Sequence, residues 1–209
     1  MPLNAYFNQW QQINRDPENW QWREQSHQGM LYAVTWINQH ATSILDVGSG
    51  IGRDWSRFTI PYQALDITPK FVATAHEHNV PILRASATDL PFPNNAFDAV
   101  YCRNLLLHLP PDMWKHVLTE MIRVARCWVV TVEPEWEWQN DFRVREMLDE
   151  DPNNILMFYS NTYSRVDMIK FAHDMGVTYE FTCGYDDLRS KFLKKYVHWQ
   201  VTIYTKPQI

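Results

Sequence analysis

The chain has 209 residues, 45% hydrophobic and 21% charged, enough for one domain with a sizeable elaboration and a buried core. Nineteen basic against 24 acidic residues leave a net charge of −5 with no basic block, which counts against a long phosphate-tracking surface. No apolar run approaches the roughly 20 residues of a membrane span, and the start, MPLNAYFNQWQQ, lacks a signal-peptide apolar stretch. Cys102, Cys127 and Cys183 are too few and too scattered for a disulfide framework or a CxxC metal site, and the chain reads as soluble and cytoplasmic.

Residues 1–42 form an accessory segment. Twelve of the first 40 residues are Asn or Gln, yet Trp10, Trp20, Trp22 and Trp36 give the segment apolar surface to pack with. Met30, Val34 and Ile37 recur at helical spacing and predict a helix over 29–40. From Ser43 strands and helices alternate. Strands are expected at 43–47, 62–67, 81–87, 97–102 and 127–132, and helices at 50–58, 69–78 and 111–125. In the last of these helices Trp114, Val117, Leu118, Met121, Ile122 and Ala125 make one apolar stripe, with Pro111 suited to its first turn.

Residues 134–163 break the rhythm. They hold seven acids and two arginines with no clean period, and are read as a lid inserted into a domain spanning 43–209. Ser164 can cap a helix over 165–175 that Gly176 ends. Two strands, near 177–182 and 199–205, are joined by too short a connection for a full crossover helix and should be antiparallel. The expected fold is α/β: a doubly wound, mostly parallel, seven-stranded Rossmann-like sheet with an antiparallel last strand.

Three of only six glycines fall at Gly48, Gly50 and Gly52, in Asp46-Val-Gly-Ser49-Gly-Ile-Gly-Arg53, just after the first strand. Glycines there let the backbone turn tightly and let a ligand approach its amides. The dinucleotide fingerprint GxGxxG is missed, because its sixth position holds Arg53, and no GK[ST] ends the loop as a P-loop requires. Asp66 ends the second strand, 18 residues beyond Gly48, and a carboxylate there can accept from both hydroxyls of a ribose. Asp89 can accept from an adenine amino group, with Ile67 and Leu90 sandwiching the ring; it can equally be a turn-forming residue before Leu-Pro.

Taken together, ILDVGSGIGRD (44–54), Asp66 in ALDIT, ASATDLPFPNNAFDAVYC (85–102) and RNLLLHL (103–109) resemble the class I S-adenosylmethionine-dependent methyltransferases. The resemblance is to the small-molecule, ubiquinone-biosynthesis-like branch (methyltransferase type 11). It covers about 43–133 and more loosely 164–205. It implies S-adenosylmethionine as cofactor, with Asp46, Arg103 and Asn104 beside its methionine portion, although Arg103 can as well be an ordinary surface arginine.

The acceptor is less legible. Neither a [DNS]PP[YF] motif after strand four nor a Pro-Cys nucleophile is present, and an acidic lid repels phosphate backbones, so nucleic acid is disfavoured. Aromatics in 1–28 and 134–163 suit a small, uncharged or cationic acceptor, or simply pack those segments onto the sheet. His108 and Glu133, beyond strands four and five, are the candidate catalytic bases, His108 being equally readable as a core or helix-flanking histidine. His76 and His78, two apart on a helix, point away from each other and make no metal pair. The alternatives are a non-catalytic module that holds the donor or its product, a nucleic-acid or protein methyltransferase, or an enzyme that transfers another group of the donor.

Overall fold

A computed structural model describes residues 8–11, 28–111, 113–134, 144–148, 155–159, 161, 163–186 and 197–207. Seven strands form one sheet: β1 (Ile44–Val47), β2 (Tyr62–Asp66), β3 (Ile82–Arg84), β4 (Phe97–Arg103), β5 (Ala125–Pro134), β8 (Thr178–Asp186) and β9 (Val197–Thr205). Their spatial order is β3-β2-β1-β4-β5-β9-β8, parallel from β3 to β5, with β9 antiparallel to both its neighbours. The order reverses direction between β1 and β4, the point at which open α/β sheets leave a crevice beyond the strand ends.

Strand alternation divides the core. Leu45, Val47, Val100 and Val129 face one side, where they pack with α3 (Met113–Val124) and α4 (Arg165–Asp174). Ile44, Ala99, Tyr101, Val130 and Val132 face the other, with Ala33 and Ile37 of α1 (Gln28–His40). The smaller cluster of Ala64, Val72, Ala75, Val80 and Ile82 seats α2 (Pro69–Glu77) against β2 and β3. A parallel sheet covered on both faces is what near-continuous apolar strands require. Ser164 caps α4 as expected, its hydroxyl accepting the Val166 amide at 3.2 Å, and Gly176 follows the helix at φ +66°.

Four local expectations are corrected. The helix over 50–58 is a run of turns followed by a 3-10 turn at Trp55–Arg57, because Gly48, Gly50 and Gly52 all hold positive φ and cannot propagate an α-helix. Strand β3 stops at Arg84, three residues early, so Ala85–Thr88 leave the sheet. Helix α3 starts at Met113, with Pro110 and Pro111 in the turn before it. The aperiodic stretch 134–163 contains an antiparallel pair, β6 (Val144–Leu148) with β7 (Ile155–Tyr159). Of the aromatics expected to wall an acceptor site, Tyr6, Phe7, Trp20, Trp22, Trp136, Trp138 and Phe142 lie outside the described residues. Tyr163 does not wall it: it is buried in the core against Trp114. No described helix is long and apolar enough to cross a membrane, and no described cluster of His, Cys, Asp or Glu could hold a metal ion.

Candidate active site

A cleft opens beyond the C-terminal ends of β1, β2, β3 and β4. Its floor is the glycine turn, its sides are Asp66, Ile67, Phe71 and residues 85–88, and its far end is formed by Arg103, Asn104, Leu105, His108 and Leu109. Among the residues singled out from the sequence, Gly48, Ser49, Gly50, Asp66, Ile67, Arg103, Asn104 and His108 meet here. Asp46, Gly52, Asp89, Leu90 and Glu133 do not line it.

The glycines divide their work. Gly50 sits at φ +61°, and a Cβ there would meet nothing nearer than Phe71 at 4.0 Å, so its surface is open to a ligand. Gly52, at φ +73°, packs instead on Val80, whose Cγ1 would lie 2.5 Å from a Cβ. It serves close packing rather than ligand contact. Asp66 ties the loops together: its Oδ2 accepts the Gly50 amide at 2.9 Å and its Oδ1 the Thr68 amide at 2.8 Å. Burial pushes its carboxyl above the usual range against the pull of those amides. Each oxygen keeps a further lone pair for a ligand donor.

Beneath the glycine turn lies a buried polar group. Tyr62 donates its hydroxyl to Asp46 at 2.6 Å, and Tyr101 donates to Asp54 at 3.0 Å. Arg103 Nε lies 2.9 Å from the same Asp54 oxygen, Oδ2. Asp46 is 3% exposed on a strand buried throughout its length, so it supports the turn from below and does not reach the cleft. Burial and the neighbouring Asp54 push its carboxyl up to about 7, against the Tyr62 hydrogen bond and the Arg103 charge. The Arg103–Asp54 pair, missed in the sequence, holds the guanidinium of a cleft-lining arginine in place.

Asp89 and Leu90 do not line the cleft. Asp89 is exposed, and Leu90, 3% exposed, belongs to the core, where its amide donates to Glu120. The cleft wall is Ala85, Ser86, Ala87 and Thr88, with the Ser86 and Thr88 hydroxyls 2.7 Å apart. Residues directly after a strand of an open sheet face its crevice, and that rule points to 85–88. Phe71, Arg53 and Trp10 are further lining residues that spacing did not single out.

Glu133 is likewise corrected. It is 2% exposed, and its oxygens accept the amides of Leu105 and Leu106 at 2.9 Å each and of Leu107 at 3.3 Å. It does not line the cleft, so it is out of reach of a substrate held there. Burial nevertheless pushes it up to about 7. His108 does line the cleft, and its ring lies 5.6 Å from that of Trp10, which enters from the helical turn 8–11.

Residues 44–127 match the methyltransferase domain family. Over those residues the chain is similar to methyltransferase domains. Its fold is shared by 1,6-didemethyltoxoflavin-N1-methyltransferase of Burkholderia thailandensis, solved with that acceptor and S-adenosylhomocysteine. The TM-score is 0.67 at 15% identity, over 100% of this chain and 92% of that one. Magnesium protoporphyrin IX methyltransferase of Synechocystis PCC 6803, solved with S-adenosylmethionine, gives 0.60 at 14% identity over 98% and 93%. A possible histamine N-methyltransferase of Thermotoga maritima gives 0.59 at 13% over 91% and 94%. No curated protein matches the chain in sequence.

The cleft fits S-adenosylmethionine, the cofactor that the sequence resemblance implies. The Ser49 hydroxyl oxygen is buried without a hydrogen-bond partner, the space over Gly50 is open, and a buried carboxylate faces hydroxyl-bearing and apolar walls. Those are the donor set and shape that a nucleoside with a charged amino-acid tail asks for.

Proposed function

We propose that this chain is an S-adenosylmethionine-dependent methyltransferase that acts on a small molecule, with the donor held over the glycine turn and the acceptor at the His108 end of the cleft. The observation that carries the reading is the cleft itself. It brings the Gly48–Gly50 turn and Asp66 together with a roofed end where Trp10 lies against His108. Asp66 would take the ribose hydroxyls, Ile67 and Phe71 would flank the adenine, and the Ser86 and Thr88 hydroxyls would meet its polar edge. Arg103 and Asn104 would meet the amino-acid tail, with Arg103 already aligned by Asp54.

When bound, the cofactor supplies an activated methyl group on a sulfonium. The chain's part is to align a nucleophile in line and keep water out. Residues 1–28 and 134–163 are assigned to enclosing the acceptor, the first through Trp10. His108 is assigned to receiving a proton when the acceptor must lose one. The small-molecule reading also draws support from the net charge of −5, which disfavours a polyanion.

Calorimetry with S-adenosylhomocysteine, followed by mass spectrometry of a small-molecule acceptor panel incubated with S-adenosylmethionine, tests the reading. Micromolar binding and a mass gain of one methyl on a panel member are expected. Affinity for a nicotinamide dinucleotide in its place, or tight salt-sensitive RNA binding, would overturn it.

A further inference from the structure

Residues 105–109 form the turn that closes the far end of the cleft, and Leu105, His108 and Leu109 line it. A 3-10 turn satisfies two of its five amides internally, His108 to the Leu105 carbonyl and Leu109 to the Leu106 carbonyl, each at 3.0 Å. The other three amides all end on Glu133. Its carbonyls are met from the opposite side. Asn161 donates its side-chain amide to Leu109 at 2.7 Å and its backbone amide to Leu107 at 2.9 Å, and Tyr163 donates its hydroxyl to Leu106 at 3.0 Å.

Glu133, Asn161 and Tyr163 are each 2% exposed, and none of them lines the cleft. Burying three such polar side chains is costly unless each is fully bonded. Here their partners are one stretch of backbone. Glu133 stands near the end of β5, while Asn161 lies two residues beyond β7. The turn is therefore gripped between the central sheet and the segment that follows the β6–β7 pair.

We propose that Glu133, Asn161 and Tyr163 are positioning residues for the methyl transfer, clamping the 105–109 turn in the conformation that puts Leu105, His108 and Leu109 in the cleft. The proposal rests on the reading of that cleft as the cofactor site. On this turn Glu133 meets amides, while Asn161 and Tyr163 meet carbonyls, so neither side can replace the other. Both act on one conformation, so losses on the two sides should be less than additive.

The test compares Glu133→Gln, Asn161→Ala, Tyr163→Phe and a Glu133→Gln/Asn161→Ala double variant with Val129→Ala. Val129 is buried on the same strand as Glu133 and reports destabilisation alone. The readouts are affinity for S-adenosylhomocysteine and amide hydrogen exchange at 105–109 in the ligand-free protein. Each clamp variant should weaken binding about five- to tenfold, with the double variant short of the product of its parts. Val129→Ala should bind normally at a comparable loss of Tm. Clamp variants that lose Tm yet bind like Val129→Ala would overturn the proposal. Failure of the unaltered protein to bind S-adenosylhomocysteine would instead remove the cofactor reading, and exchange then decides the clamp by itself. Faster exchange at 105–107 in Asn161→Ala, which touches none of those amides, supports it; unchanged exchange rejects it.

Discussion

Asp66 accepts the amide of Gly50 at 2.9 Å, so the acid proposed for the ribose also fixes the glycine turn proposed to carry the rest of the donor. Ligand contact and loop geometry cannot then be removed separately by truncation. Asp66→Ala should weaken S-adenosylhomocysteine binding at least tenfold, each lost buried hydrogen bond costing about 1–3 kcal/mol. It should lower Tm as well, because the Gly50 and Thr68 amides lose their acceptor. Calorimetry paired with thermal melting checks both. Undiminished affinity in a folded variant would remove Asp66 from the site.

Asp54 is the counterion of Arg103 and the acceptor of the Tyr101 hydroxyl, at 6% side-chain exposure against 15% for the arginine. Removing one partner of a buried pair leaves the other charge uncompensated, which costs about 3 kcal/mol or more. Asp54→Ala should therefore shift the urea midpoint far more than Asp98→Ala, whose partner Arg126 is 57% exposed. Equal shifts for the two variants would show that the Arg103 pair is solvated.

Asp46 and Glu133 both have carboxyls pushed up to about 7 by burial. In the unfolded chain such groups titrate near 4. Between those values the folded state binds more protons than the unfolded one, so stability falls as pH rises. The contribution is fully present below about pH 4 and is lost as pH passes through about 7. Denaturant melts from pH 5 to 8 should show this decline. Asp46→Asn keeps an acceptor for Tyr62 but cannot ionise, and should flatten part of the slope. A slope identical to that of the unaltered protein would mean that Asp46 is already ionised throughout the range.

The sheet was legible because its signals are local and redundant. Apolar strands such as 44–47 and 129–132 alternate with the stripe of 113–124, and the glycine cluster marks the first strand's end. Cleft-lining residues were legible where they end or directly follow a strand, as with Asp66, Arg103 and Asn104. Asp46 and Glu133 stay out of the cleft lining for a common reason: a carboxylate near a ligand crevice looks the same in sequence whether it faces the ligand or holds the surrounding structure. Burial separates the two uses, and burial comes from partners distant in the chain, such as Tyr62 for Asp46 and Leu105–Leu107 for Glu133. Periodicity failed at β7 because Ile155–Tyr159 (ILMFY) is apolar throughout and carries no period-two alternation.

His108 remains the one base candidate from the sequence that faces the cleft, with its ring against Trp10 and its backbone fixed in the 3-10 turn Leu106–His108. It sits at the opposite end of the lining from Asp66 and residues 85–88, on the side assigned to the acceptor. A base matters only when the nucleophile must shed a proton, and positioned proton transfer is worth about 10²–10⁴-fold in rate. With an acceptor found by the panel, His108→Asn should lower kcat within that range while leaving S-adenosylhomocysteine affinity within about twofold. The acidic limb of the kcat–pH profile should disappear with it, since that limb reports loss of the neutral imidazole. Trp10→Phe keeps an aromatic roof and should preserve the limb while raising KM for the acceptor. A His108→Asn enzyme with an intact acidic limb and less than a tenfold loss in kcat would assign the histidine to walling the acceptor, with its proton leaving directly to water.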